Sequence, residues 1–372
     1  MNIRKVVLLS GALLAAGITS NPGFAQTSSN VHVLISGLQG PRGLRFGPDG
    51  FLYVAEAGTG GKTSTVGTCT QVVPPVGPYK GGTSGRISRV DMSGNRITVA
   101  FGLPSSVDAM GDLQGVADVE FLSGTLYALL AGGGCSHGNA TMPNALISVN
   151  PKNATWKMVA NLSQFIQAHP TKYENADDFE PDGTFYSMIP YNNRLYVVEP
   201  NHGQVLSVGT DGVIGSVLDV SASQGHIVPT AIGQRNGAIV LGNLNQFPIE
   251  PNYARILSLG YSECSRIRIP GLEDAPNSLN VLSSKAGFTT IVSVAFGPDG
   301  LLYVLELSDA AGFPTGGAGK VVRVNADGSI QDIATGLTVP TGMTFGPDGK
   351  IYVSNFGAAP AGAGQIVWID AP

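Results

Sequence analysis

One hairpin is written three times in this chain. Gly43–Val54 reads GLRFGPDGFLYV, Val294–Val304 reads VAFGPDGLLYV, and Gly342–Val353 reads GMTFGPDGKIYV. Each copy is a strand, a tight turn and a second strand. Proline presets φ at the first turn position, aspartate bonds its own backbone, and glycine accepts the left-handed conformation. A strand–turn–strand unit that recurs in this way marks a repeat architecture.

Around these copies the chain divides into six repeats, each predicting strands A, B, C and D. The first gives Arg42–Phe46, Leu52–Glu56, Arg86–Asp91 and Arg96–Leu103. The fourth gives Pro229–Ile232, Ala238–Gly242, Ala254–Leu259 and Ser265–Pro270. All show β-branched or aromatic alternation bounded by Gly, Pro, Asp or Asn. The sixth has Thr341–Phe345, Ile351–Asn355 and Gln365–Asp370 and lacks a strand D. Its substitute stands at the other end, where Val33–Leu38 resembles the fourth strand of the fifth repeat, Asp332–Leu337. Docking it beside the last three strands closes the ring and removes an open edge. The expected fold is all-β: a six-bladed β-propeller over residues 31–372, one domain, its sixth blade completed by the N-terminal strand. No helix is expected, because no stretch keeps a 3.6-residue apolar period free of Gly and Pro.

The first 25 residues stand apart. Arg4 and Lys5 precede an apolar run from Val6 to Ile18, followed by Gly23-Phe24-Ala25. That run is too short to cross a bilayer and suits a signal peptide cleaved after Ala25. The expectation is a periplasmic or secreted protein without a transmembrane anchor. Loss of the leader leaves 19 basic and 26 acidic residues, a formal net charge of −7, which argues against nucleic acid as a partner. Three cysteines, Cys69, Cys135 and Cys264, allow at most one internal pair. Cys69 and Cys135 fall in long loops of one face and are expected to bridge, with Cys264 free near the opposite face. The alternative is three unpaired thiols.

Long connections belong to one class of loop. They include Ala57–Gly85, Pro104–Asp118, Ala131–Asn144, Ser163–Thr184, Leu244–Tyr253, Gly271–Thr290 and Leu307–Gly319. Such loops either carry binding and catalysis or plug the channel. At the exit of each strand B toward this face stand Glu56, Leu130, Glu199, Asn243, Glu306 and Asn355. An oxygen-rich ring of this kind suits Ca²⁺; the same residues could instead hold their own loops. Asp108, Asp112, Asp118, Asp177, Asp178, Glu180 and Asp182 crowd the same side, with His137, His169, His202 and His226. No histidine pair has zinc-motif spacing, and no Gly-x-Ser-x-Gly elbow occurs. Loop tips at Phe247-Pro248 and Phe313-Pro314, with Tyr79, Phe165 and Tyr173, offer either the floor of a pocket for a flat organic ligand or a hydrophobic plug.

These motifs resemble the ScyD/ScyE family of exported propellers, and more distantly NHL-repeat and SMP-30/gluconolactonase-like propellers. The resemblance rests on Leu38–Leu44 leading to Tyr53–Gly58, on Gly82–Ile87, on Asn243–Pro248, on Ala295–Glu306 and on Tyr352–Asn355. Blade three departs from the family pattern at Thr184–Tyr186 and Glu199–Gly203. The resemblance implies an exported ligand-binding or accessory protein acting on a small organic molecule or another exported protein. Its loop-rich face would present Arg42, Asp118, His137, His202, His226, Phe247 and Phe313. A distant relationship to lactonases implies a Ca²⁺-dependent hydrolase as an alternative, although Pro41 and Arg42 stand where those enzymes place a glutamate. A quinone-dependent sugar dehydrogenase is the second alternative, with Arg42, Lys62 and Lys80 as cationic contacts.

Overall fold

The repeated turn is built from local bonds. Gly50 sits at φ 79° and donates its N–H to the Gly47 carbonyl at 3.0 Å. The Tyr53 hydroxyl donates to the Asp49 carboxylate at 2.9 Å, and the same bond recurs from Tyr303 to Asp299 at 3.0 Å and from Tyr352 to Asp348 at 2.9 Å. Those tyrosines also join blades. Tyr53 packs edge-on against Phe121, Tyr303 against Phe345 and Tyr352 against Phe46, each across to the next repeat. The motif therefore recurs because it shapes a turn and seals an interblade seam.

A computed structural model describes residues 26–261 and 278–371. The residues form six antiparallel blades, and the chain is a six-bladed β-propeller. Strand β1 (Val31–Leu38) precedes blade one: β2 (Pro41–Phe46), β3 (Leu52–Glu56), β4 (Lys80–Val90), β5 (Arg96–Val107) and the short β6 (Leu113–Gln114). Blade two is β7 (Val116–Leu122), β8 (Thr125–Leu130), β9 (Ala145–Asn150) and β10 (Thr155–Asn161). Blade three is β11 (Ser187–Tyr191), β12 (Arg194–Glu199), β13 (Gln204–Val208) and β14 (Ile214–Asp219). Blade four is β15 (Pro229–Arg235), β16 (Ala238–Asn243), β17 (Ala254–Tyr261) and β18 (Leu279–Phe288). Blade five is β19 (Ile291–Phe296), β20 (Leu302–Glu306), β21 (Gly319–Val324) and β22 (Ile330–Leu337). Blade six is β23 (Gly342–Phe345), β24 (Ile351–Asn355) and β25 (Gly364–Ile369), and β1 completes it.

Closure is antiparallel, with Val31 opposite Ile369 and Leu38 opposite Gly364. The residues before β1 reach further, since the Ser28 N–H donates to Thr335 of β22 at 3.1 Å. The innermost strands β2, β7, β11, β15, β19 and β23 follow one another around the axis, and β23 meets β2 again. Apolar residues between blades form the core, with Leu52, Val54 and Ile366 of blades one and six fully buried.

Several expectations need correction. Strand β4 starts at Lys80 rather than Arg86, because Lys80–Gly82 pair with Ser105–Val107 and extend the sheet. The outer strand of blade four is Leu279–Phe288, inside what reads as a loop. The expected strand Ser265–Pro270 lies outside the described residues, as do Cys264 and the leader 1–25. Two short helices also form, α1 (Leu162–Ala168) and α2 (Val220–Gln224). Asn161 caps α1 by accepting the Gln164 N–H at 3.0 Å, and Asp219 caps α2 by accepting the Ala222 N–H at 2.9 Å. A side-chain oxygen at the N-cap lets so short a turn persist where no long apolar period exists. Among the described residues no helix is long and apolar enough to cross a membrane.

Candidate functional site

The channel is nearly full. A cavity of about 30 Å³ bounded by inner-strand residues such as Arg45, Asp118, Met188, Ile232, Ser293 and Met343 has room for little more than a water molecule. Above it the loop after β3 reaches over the ring. Its Val72, Val76 and Tyr79 belong to one apolar cluster with Val228, Leu244, Phe247, Ile249, Leu307 and Val339 from blades four to six. The Ala109 N–H donates to the Val76 carbonyl at 2.9 Å and ties a second connection to this cap. A disulfide joins Cys69 to Cys135, with Cα atoms 6.3 Å apart, and pins the same loop to blade two. A hydrophobic plug covers the mouth.

The strand-B residues proposed as a metal ring face their own connections. Glu56 accepts the Gln39 N–H at 2.7 Å, the Arg86 guanidinium at 2.8 Å and the Ser88 hydroxyl. Glu199 accepts N–H groups of Thr184 at 3.2 Å, Asn201 at 3.2 Å and His202 at 2.8 Å. Glu306 accepts the Thr289 N–H at 3.1 Å, and Asn355 accepts that of Thr338 at 2.8 Å. Asn243 accepts the Arg255 N–H at 2.9 Å and donates to the Ile227 carbonyl at 3.0 Å. Each clips the strand arriving from the previous blade. Among the described residues no three His, Cys, Asp or Glu side chains converge as metal ligands.

Arg42 and Asp118 lie by the channel. The buried Arg42 guanidinium donates to the Leu113 carbonyl. Asp118 accepts the N–H groups of Val119 and Met188, both at 2.8 Å, and burial pushes its carboxyl up to about 7.

The histidines gather around one connection. His137 Nε2 lies 3.0 Å from Glu180 Oε2, and its Nδ1 faces the Gly133 carbonyl at 2.8 Å. Tyr79 of the plug donates to the other Glu180 oxygen at 3.3 Å, and Thr184 donates to Glu180 as well. His226 Nε2 meets Asp178 Oδ2 at 2.7 Å, while His202 Nδ1 is 3.2 Å from Glu199. The connection 176–182 thus holds the plug, blade two and the start of blade four together. Burial lowers His226 to about 4 and, with Glu180 nearby, raises Asp178 well above the usual carboxylate value. The Glu180 carboxylate raises His137 against the opposing effect of burial. His169 stands apart, stacked on Phe165 at 4.2 Å.

Two clefts open around this hub. One, of about 380 Å³, lies by the disulfide and is bounded by Ile166, Glu174, Phe179, Asp182 and His202. The larger, of about 400 Å³, lies between α2 and the loop after β16. His226 and Phe247 line it, joined by Gln224, Asn245, Gln246 and Arg255. Tyr253 stands at its rim, 57% exposed, beside Glu250. Phe313, half-exposed, stacks on Phe247 with centroids 6.3 Å apart. Asn243 braces the floor, its amide donating to Asn245 Oδ1 at 2.6 Å. The sequence pointed to Phe247 and His226 but missed Tyr253 and Arg255, whose positions directly after the Phe-Pro tip were the available signal.

The chain matches no model of a known protein family and no curated protein sequence. It is similar in fold to several solved structures. The PQQ-bound aldose sugar dehydrogenase of Streptomyces coelicolor aligns with TM-score 0.53 and 13% identity, covering 93% of this chain and 98% of that one. A gluconolactonase of Xanthomonas campestris aligns with TM-score 0.52 and 9% identity, covering 91% and 89%. A carbohydrate-active family AA12 enzyme of Trichoderma reesei aligns with TM-score 0.52 and 13% identity, covering 94% and 98%. At such identities the likeness is one of fold.

Proposed function

We propose that this chain is an exported propeller that binds a small organic molecule through its loop-rich face, in the cleft between α2 and the loop after β16. One observation carries the reading. The channel holds about 30 Å³ beneath an apolar plug, whereas this cleft offers about 400 Å³, within the range of small-molecule sites. The cleft by the disulfide is of similar size, and this one is preferred for the Tyr253, Arg255 and three amide side chains in its lining. Its wall combines the exposed Tyr253 ring with polar groups, among them Asn245, which Asn243 holds, and such a mix is how small-molecule sites orient a ligand.

A calcium-dependent lactonase would need the strand-B ring, and those oxygens already accept backbone N–H groups. The strand-B residues are engaged as backbone clips and do not gather about a shared ion. Of the cationic contacts a quinone cofactor would use, Arg42 is buried with its guanidinium on the Leu113 carbonyl, while Lys62 and Lys80 are exposed.

The test is a thermal-shift screen of small metabolites on the mature protein, repeated on Tyr253→Ala. Binding should stabilise the parent by mass action, and the shift should shrink in the variant. Hits that all survive that substitution undiminished would move the site elsewhere. Export is checked by N-terminal sequencing of protein recovered outside the cytoplasm, which should begin at Gln26.

A further inference from the structure

Resting on that reading, we infer that the cleft takes a small acidic sugar, a monosaccharide or its glycoside bearing one carboxylate. The lining mixes apolar Ile227, Phe247 and Pro248 with seven side chains that carry polar atoms, so a ligand with hydroxyls on an apolar frame matches both, whereas a pure hydrocarbon would strip the polar groups of water without return. The seven are diverse in a useful way. Gln224, Asn245 and Gln246 carry amides, each offering both donors and acceptors to hydroxyl groups. The exposed Tyr253 ring supplies a flat surface for the C–H face of a pyranose.

Arg255 sets the charge. Arg255 lines the cleft and forms no ion pair among the described residues, while its backbone N–H is fixed by Asn243. Arginine presents a planar fork that matches a carboxylate bidentately. Glu250 stands exposed on the same rim, where it can accept sugar hydroxyls and would repel a second carboxylate. His226 completes the wall as a positioned group. Its side chain is nine-tenths buried and Nε2 is held by Asp178 at 2.7 Å, while Nδ1 has no hydrogen-bond partner among the described residues.

Calorimetric titration of the mature protein with glucuronate, galacturonate, gluconate, glucose, glycine and benzoate tests the class. Saturable binding of at least one sugar acid is expected, at least tenfold tighter than glucose. Arg255→Gln should weaken that binding at least tenfold while leaving the glucose affinity within about threefold. Tyr253→Ala should weaken both. Circular dichroism melting of each variant separates loss of the site from loss of the fold. Preference for glucose, glycine or benzoate over every sugar acid overturns the class, and so does sugar-acid binding that Arg255→Gln leaves unchanged. Failure of all six probes, with screen hits of another class still lost in Tyr253→Ala, overturns the sugar assignment and leaves the cleft as the binding site. Hits insensitive to Tyr253→Ala overturn both.

Discussion

Glu306 shows how a single side chain couples this fold to pH. It is buried, gives one oxygen to the Thr289 N–H at 3.1 Å, and holds the other 3.8 Å from Lys320. Burial pushes its carboxyl up to about 7, with Lys320 opposing. In the unfolded chain a glutamate titrates near 4.3. Between those values the folded protein keeps a proton that the unfolded chain has released, so this group's stabilisation is complete below the lower value and is lost as pH rises toward 7. The loss is about 4 kcal/mol at most. Asp118 acts in the same direction, while His226, lowered to about 4, acts oppositely and loses stability as pH falls from about 6.5 toward 4. Urea unfolding at pH 5 and pH 8 should show a smaller drop with rising pH in Glu306→Gln than in the parent; equal drops would mean its carboxyl is not raised. The position of Glu306 was legible as one of a recurring set, but its role was not. The choice between metal ligand and backbone clip depends on where Thr289 arrives from the previous blade, and that is a tertiary fact.

Among the elements, the loop after β3 departs most from what local sequence conveys. Turn residues such as Asp49 and Gly50 announce themselves because their chemistry is closed within four residues. Val72 and Val76 do not, since their partners Val228, Leu244 and Phe247 are contributed by a blade on the far side of the sequence; of this loop, Tyr79 was legible as a plug or pocket residue together with Phe247. The outer strand Leu279–Phe288 was missed for a related reason. An exposed edge strand can carry Ser283, Ser284 and Lys285 without losing its backbone ladder to β17, and so lacks the apolar alternation that marks an inner strand. The plug's attachment makes a testable element. The bridge between Cys69 and Cys135 closes 66 residues of chain, and removing such a cross-link costs about 2–4 kcal/mol. The double variant Cys69→Ser/Cys135→Ser should unfold at lower urea concentration with its far-ultraviolet circular dichroism nearly unchanged. An unaltered midpoint would show that the apolar cluster alone holds the cap.

At the scale of the whole molecule, the ring was the most legible feature, because the missing fourth strand of blade six has an obvious counterpart in Val33–Leu38. Closure rests on the ladder from Val31–Ile369 to Leu38–Gly364 and on Asn30, whose amide donates to the Ile333 carbonyl at 3.0 Å. A chain beginning at Gln39 should lose cooperative melting and associate through the bared edge of β25, as size-exclusion chromatography would report. A monomeric, cooperatively melting truncation would show that three strands suffice for the last blade. The pairing of β1 with β25 also sets an order on biogenesis. Strand β1 is translated long before its partner β25, so a nascent chain can assemble its middle blades early but stays an unsealed arc until β25 emerges. Premature termination anywhere before Gly364 therefore yields a polypeptide with two unsatisfied ends, which quality-control proteases can distinguish from the finished product.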